Sequence, residues 1–319
     1  MKTRILILSV CLAGALSVPA LALTSTTADV ENAAPIAEDL NLKTYKGVAV
    51  SSRFAAVDPE GDLVTFQVVD SPARGQVAMD ETDPAAFTYT PYEGKKGKDS
   101  FTYVAIDAKG NSSKPATVKV VIQKQTTAVS YSDLTGDPAH YAALRLAEEG
   151  VYTGRQVGSL YCFDPDSTFT REEFLTMAMT AAGREPLADV SLTGFYDDGD
   201  ISAWAKGYVS AALVVGTVEG SRNDAGQTVF APNAPVTQAE AAVIIDRLLA
   251  TGDVSGTASA FSEETAPAWA YQSVVNMEAV SVLSSSTDLY KPLTRAESAE
   301  MLSAMLDVLE ARTDGGWFW

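Results

Sequence analysis

This chain has one histidine and two cysteines in 319 residues, and each shortage closes off a class of chemistry. With His140 alone, multi-histidine zinc sites are excluded, and a Ser-His-Asp or Cys-His catalytic pair would have to be built on that single imidazole. His140 stands beside Tyr141 at a helix start, where packing is sufficient explanation. Cys11 lies in an apolar leader without the small-residue context of a lipidated cysteine. Cys162 is therefore left alone and no intramolecular disulfide is available. Beside Phe163 it reads as a buried small hydrophobe rather than a nucleophile. Basic residues are also scarce, 23 Lys and Arg against 41 Asp and Glu, for a formal charge of −18. Such a surface repels nucleic acid and anionic lipid, and so excludes both as partners. Past the leader no apolar run is long enough to span a bilayer.

What is present begins with Lys2 and Arg4, an apolar run from Ile5 to Leu16, and Ala20-Leu21-Ala22. Together they form a secretory signal peptide over residues 1–22, and Pro19 ends the run too early for a membrane anchor. The length that follows suits two or more domains.

From Ala34 to Lys124 short β-rich runs alternate with turn residues, as in Leu63 to Val69, Ala86 to Thr90, Ser100 to Val104 and Ala116 to Ile122. Their period-2 patterning, with Asp58-Pro59-Glu60-Gly61-Asp62 and Lys109-Gly110-Asn111 between them, predicts a β-sandwich. The stretch resembles bacterial Ig-like and cadherin-like modules, a resemblance that implies a spacer, adhesion or sugar-binding unit. Asp58, Glu60, Asp62 and Asp107 offer oxygens to Ca²⁺, although turn chemistry alone also accounts for them. No other cofactor is implied.

A polar link, Gln125 to Ser130, leads into Ala-rich helical sequence with an internal repeat of about 60 residues. The copies run 131–187, 195–252 and 260–312, and an aromatic tail, 313–319, follows. Each copy opens with an aromatic and acids (Tyr131-Ser132-Asp133, Phe195-Tyr196-Asp197, Phe261-Ser262-Glu263). An embedded aromatic follows at Tyr141, Trp204 or Trp269. The first two copies have a glycine exit, Gly150 to Gly154 and Gly216 to Gly220, which the third replaces with Ser281 to Ser286. Phe163-Asp164-Pro165, Phe230-Ala231-Pro232 and Tyr290-Lys291-Pro292 precede second helices that open at Thr170-Arg171-Glu172-Glu173, Thr237-Gln238-Ala239-Glu240 and Thr294-Arg295-Ala296-Glu297. These copies resemble S-layer homology (SLH) repeats. The resemblance implies a multidomain chain, with the Ig-like sandwich followed by an all-α pseudo-threefold domain. The grooves of that domain would bind secondary cell-wall polymer, often pyruvylated.

The Thr-x-x-Glu signature has a structural reading as three capping boxes, Thr170 with Glu173, Thr237 with Glu240 and Thr294 with Glu297. Arg171 and Arg295 fall at the first helical position, where the helix dipole disfavours a cation by about 0.3–1 kcal/mol. Either they meet an anionic ligand there or they pair with a neighbouring acid. Gln238 marks the second copy as the weakest binder, and the missing glycines lower expectations for the groove of the third. Tyr141, Trp204 and Trp269 are either core residues or sugar-stacking groove edges. Gly154 and Gly220 either admit a ligand or permit positive φ. The expected function is non-enzymatic anchoring of an exported S-layer or S-layer-associated protein at the cell surface. Its partner would be secondary cell-wall polymer or peptidoglycan, with surface-layer proteins as neighbours. The alternative is a wall-associated glycan hydrolase or carbohydrate-binding protein acting through its N-terminal domain.

Overall fold

The computed structural model describes residues 32–254, 259–284 and 287–313, so the leader and most of the aromatic tail lie outside the described residues. The N-terminal strands are β1 (Ile36–Ala37), β2 (Leu40–Tyr45), β3 (Val50–Arg53), β4 (Ala56–Val57), β5 (Thr65–Asp70), β6 (Gly75–Met79), β7 (Ala86–Pro91), β8 (Gly97–Ile106) and β9 (Ala116–Gln123). They form a four-stranded sheet ordered β2-β9-β8-β5, a three-stranded sheet ordered β3-β7-β6, and a β1-β4 pair. β2 runs parallel to β9, and the other pairings are antiparallel. Alternation does the folding: every second residue of β7 and β9 is buried, which brings Phe87, Tyr89, Val118 and Val120 into one core with Phe54, Phe101 and Tyr103. Phe54 stacks on Phe87 and on Tyr103 with centroids 4.2 Å apart in both pairs.

The C-terminal part is helical: α1 (His140–Glu148), α2 (Arg171–Ala181), α3 (Lys206–Val214), α4 (Gln238–Leu249), α5 (Tyr271–Ala279) and α6 (Arg295–Thr313). It is not all-α. Two small hairpins, β10 (Arg155–Val157) with β11 (Leu160–Cys162) and β12 (Ser221–Arg222) with β13 (Thr228–Val229), follow the glycine exits of the first two repeats. The positive φ of Gly154 and Gly220 turns the chain into each hairpin, a feature that helical periodicity does not register. Among the described residues the third repeat has no such hairpin.

The second helices, α2, α4 and α6, touch one another, and each first helix packs on the second helix of the preceding repeat: α3 on α2, α5 on α4 and α1 on α6. The helix openings follow the same rotation. Arg171 N–H donates to Ala234 O (2.8 Å), Gln238 N–H to Lys291 O (3.1 Å) and Arg295 N–H to Ser167 O (2.6 Å). Each repeat thus satisfies N-terminal helix donors on the next, and the third does so on the first. Among the described residues no helix is long and apolar enough to cross a membrane.

Candidate functional site

The three helix openings share one local device. The hydroxyls of Thr170, Thr237 and Thr294 accept from the N–H of Glu173, Glu240 and Glu297 at 3.3, 3.4 and 3.1 Å. The carboxylates return the bond, accepting from the threonine N–H groups at 2.8, 3.0 and 2.8 Å. Burial pushes the Glu297 carboxyl up, but the Thr294 N–H and the Lys291 ammonium outweigh it and hold its pKa below the ordinary value.

These caps set the neighbouring arginines. The Arg171 guanidinium lies 5.6 Å from the Phe230 ring centroid, with Nη1 2.5 Å from Glu240 Oε1. Arg295 repeats the arrangement over Phe169 at 5.0 Å, donating from Nη1 to Phe163 O (3.2 Å) and standing 3.5 Å from Asp164 Oδ2. Stacking on a ring and pairing with an acid both hold the group still. The Nε of each is buried without a hydrogen-bond partner. Gln238 takes the same position in the second repeat and is only 7% exposed.

Arg171 from the first repeat, Gly220 and Glu240 from the second, and Trp269 from the third line one cavity of about 270 Å³. Residues of all three repeats, far apart in sequence, thereby meet. Trp269 is 62% exposed and Trp204 54%, and both lie just ahead of their helices rather than in the first turns. Gly154 and Gly220 have φ of 77° and 76°. A Cβ at Gly154 would stand 2.6 Å from Cys162 O, and one at Gly220 would stand 2.6 Å from the Phe195 ring. Backbone shape and tight packing against the hairpin therefore require glycine at both places. In the third repeat Ser281 adopts a φ of 59° without being glycine. A left-handed conformation there costs on the order of 1–2 kcal/mol.

The expectation that the glycine-poor third repeat weakens the Arg295 groove is corrected by the rotation of contacts. Arg295 meets the first repeat, through Phe163 and Asp164. The glycine-poor segment instead faces Gln238, across a cavity of about 840 Å³ that also touches Glu278, Glu297 and Met301. Arg53 and Asp83 of the sandwich also line that cavity.

Of the two readings open for Tyr141, its contacts are those of a packing residue. Its ring sits 5.7 Å from Tyr45 of the sandwich, and burial pushes its hydroxyl pKa up to about 12. The sandwich is docked here: Tyr45 and Val48 join the helical core, and Lys43 pairs with Glu310. Arg145, 3% exposed, donates to Ser303 O (2.9 Å) and pairs with Asp307 (2.6 Å) and Glu310 (2.9 Å). The link is clamped by Glu148, which accepts the N–H groups of Thr126 and Thr127 at 2.7 and 2.9 Å. Burial opposes its ionisation, but these bonds and both threonine hydroxyls hold its pKa down to about 2.

The acids of the sandwich serve turns. Asp58 Oδ1 accepts from the N–H of Glu60 (3.0 Å) and Asp62 (2.9 Å), and Asp107 Oδ1 accepts from those of Lys109 and Asn111 (both 2.8 Å). Among the described residues Asp58, Glu60, Asp62 and Asp107 supply no convergent three-carboxylate cluster, whereas Asp133, Cys162 and Asp164 do converge. There Asp133 Oδ2 is engaged by the N–H groups of Phe163 (3.0 Å) and Asp164 (2.8 Å), and Asp164 faces Arg295. Cys162 is half-buried rather than a core residue, because it sits on β11 at the edge of a hairpin. Sequence reasoning missed Arg247 and Glu219, which line the Arg171 cavity. Aligning the second helices from their caps would have found the arginine, since Thr180 and Ala304 occupy its place in the other repeats.

Residues 32–122 match the Bacterial Ig domain family, Big_9. A Surface-layer 125 kDa protein from Lysinibacillus sphaericus is 30% identical over 128 residues, 40% of this chain and 10% of that protein. A Cellulosome-anchoring protein from Acetivibrio thermocellus is 26% identical over 157 residues, 47% of this chain and 32% of the other. The chain thus spans about a tenth of the first relative and about a third of the second. Among solved structures, the fibronectin(III)-like modules of Clostridium thermocellum CbhA align over 28% of this chain and 47% of theirs, at 20% identity and a TM-score of 0.21.

Proposed function

We propose that the helical part is a wall-binding domain of three SLH repeats that holds an exported protein non-covalently on a bacterial cell surface. The ligand is secondary cell-wall polymer, the Ig-like sandwich is a spacer or adhesion module, and no reaction is catalysed. One observation carries this reading: Arg171, Gly220 and Trp269 come from three different repeats and line a single cavity. A guanidinium held against Phe230 suits a carboxylate or phosphate, and a half-exposed indole suits a sugar face. That combination on a chain of charge −18 favours a specific acidic saccharide over general attraction to polyanions. The surface-layer and cellulosome-anchoring names of two relatives agree with such a role.

The decisive measurement is a pull-down of the full chain on purified wall sacculi, before and after chemical removal of the secondary polymer. Binding lost with the polymer supports the reading. Binding retained on bare peptidoglycan would replace the polymer by peptidoglycan, and turnover of either glycan would replace anchoring by catalysis.

A further inference from the structure

The Arg171 cavity holds a second guanidinium. Arg247, in the last turn of α4, lines the same space as Arg171 and Trp269. Its position is occupied by Thr180 in α2 and Ala304 in α6, so this cation belongs to one groove alone. The two arginines differ in how their carboxylate partners are fixed. Glu240, which pairs with Arg171, is also the capping glutamate of α4 and is bound to the Thr237 N–H at 3.0 Å. It cannot leave without opening the helix. Glu219, which pairs with Arg247 at 3.1 Å, sits in the exit segment between Gly216 and Gly220 and its side chain is 72% exposed. The other bond of Arg247, from Nη1 to Thr217 O, is long at 3.4 Å. An exposed pair of this kind contributes little to stability, and its carboxylate exchanges readily for another.

We propose that Arg247 is a second anion-binding residue of this groove and that Glu219 occupies it as an internal competitor until ligand arrives. The inference rests on the wall-binding reading and sharpens the ligand to an acidic saccharide with two anionic groups. Its sugar face meets Trp269, one anionic group meets Arg171, and the other takes the place of the Glu219 carboxylate on Arg247. A planar guanidinium accepts either carboxylate or phosphate, so both chemistries satisfy the site.

The test is calorimetric titration of the full chain with polymer released from purified sacculi, alongside thermal melting of every variant. Arg247→Gln is expected to weaken binding roughly tenfold or more, as loss of a charge-assisted contact does. Glu219→Gln is expected to strengthen binding about two- to fivefold, the range set by an exposed ion pair. In the double variant Glu219→Gln with Arg247→Gln that gain disappears. A merely structural brace would give a different pattern, in which Glu219→Gln leaves binding unchanged or weakens it in step with Arg247→Gln. Such a pattern overturns the proposal. Arg171→Ala separates the two levels. If Arg171→Ala abolishes binding while Arg247→Gln does not alter it, only the second site is wrong. If neither variant alters binding, the wall-binding reading of this groove falls with it.

Discussion

In the Arg171 groove a guanidinium stacked on Phe230 shares a cavity with an exposed indole, Trp269. At the equivalent place in the second repeat the polar head is the buried amide of Gln238, Tyr141 is packed away on Tyr45, and Arg53 and Asp83 of the sandwich line the cavity. The scaffold is the same in both, down to the capping box and the backbone bond to the next repeat. What differs is a few side chains and a neighbouring domain. Glu278, Glu297 and Glu300 leave the Gln238 cavity acidic, whereas in the Arg171 cavity Arg171 and Arg247 balance Glu240 and Glu219. One scaffold thus carries two different surfaces, a small cavity with two arginines and a larger acidic one bordered by the sandwich.

The contrast breaks first if Arg171→Ala keeps its affinity. Loss of this contact, about 1.5–3 kcal/mol, should weaken polymer binding roughly 10- to 100-fold in titration, with melting lowered by no more than about 1 kcal/mol for its ion pair. At the contact with the sandwich the expected loss is in stability instead. Tyr141→Ala removes a half-buried ring from the Tyr45 contact and should cost about 2 kcal/mol in denaturant unfolding, with polymer affinity per folded molecule unchanged. Thr170→Ala should cost roughly 0.5–2 kcal/mol through the lost cap, and Thr237→Ala the same, so that equal losses mark the shared scaffold. Acid probes the link. The folded pKa of Glu148 lies below its ordinary 4.5, so its contribution is present above that value and is lost as pH falls towards about 2. Proteolysis between Gln125 and Ser130 should accelerate across that window, and cleavage independent of pH would mean that the clamp does not hold the link. The smallest expected effect is that of Gln238→Arg. A new arginine among the acids of that cavity should add no polymer binding, and a measurable gain would show that its acidic lining does not keep an anionic ligand out.

Much of this was readable from residues alone, because period-2 runs, a repeat seen three times and Thr-x-x-Glu openings are local signals. Ala86 to Thr90 and Ala116 to Ile122 fall inside β7 and β9, and the threonines cap their helices. Partnership between repeats was not readable. Nothing local in Thr294-Arg295 says that the arginine meets Phe163 of the first repeat rather than its own exit segment. Tyr141 could not be told from a groove edge for the same reason: the alignment equates it with Trp204 and Trp269, while its surroundings are set by Tyr45, remote in the chain. The hairpins were hidden by brevity, since two- and three-residue strands carry no periodicity.

The backbone bonds from Arg171 to Ala234, Gln238 to Lys291 and Arg295 to Ser167 make the helical part a ring, and a ring has no terminal unit to trim. An open solenoid loses stability one unit at a time and tolerates changes in copy number. Here deleting the last unit would strip partners from both of the others, and a fourth would have no place to insert. The closed circle of contacts predicts all-or-none assembly that waits for the last helix. As the chain is made from its N-terminus, α1 stays without its packing surface until α6 has emerged, so the two ends of the helical part complete each other.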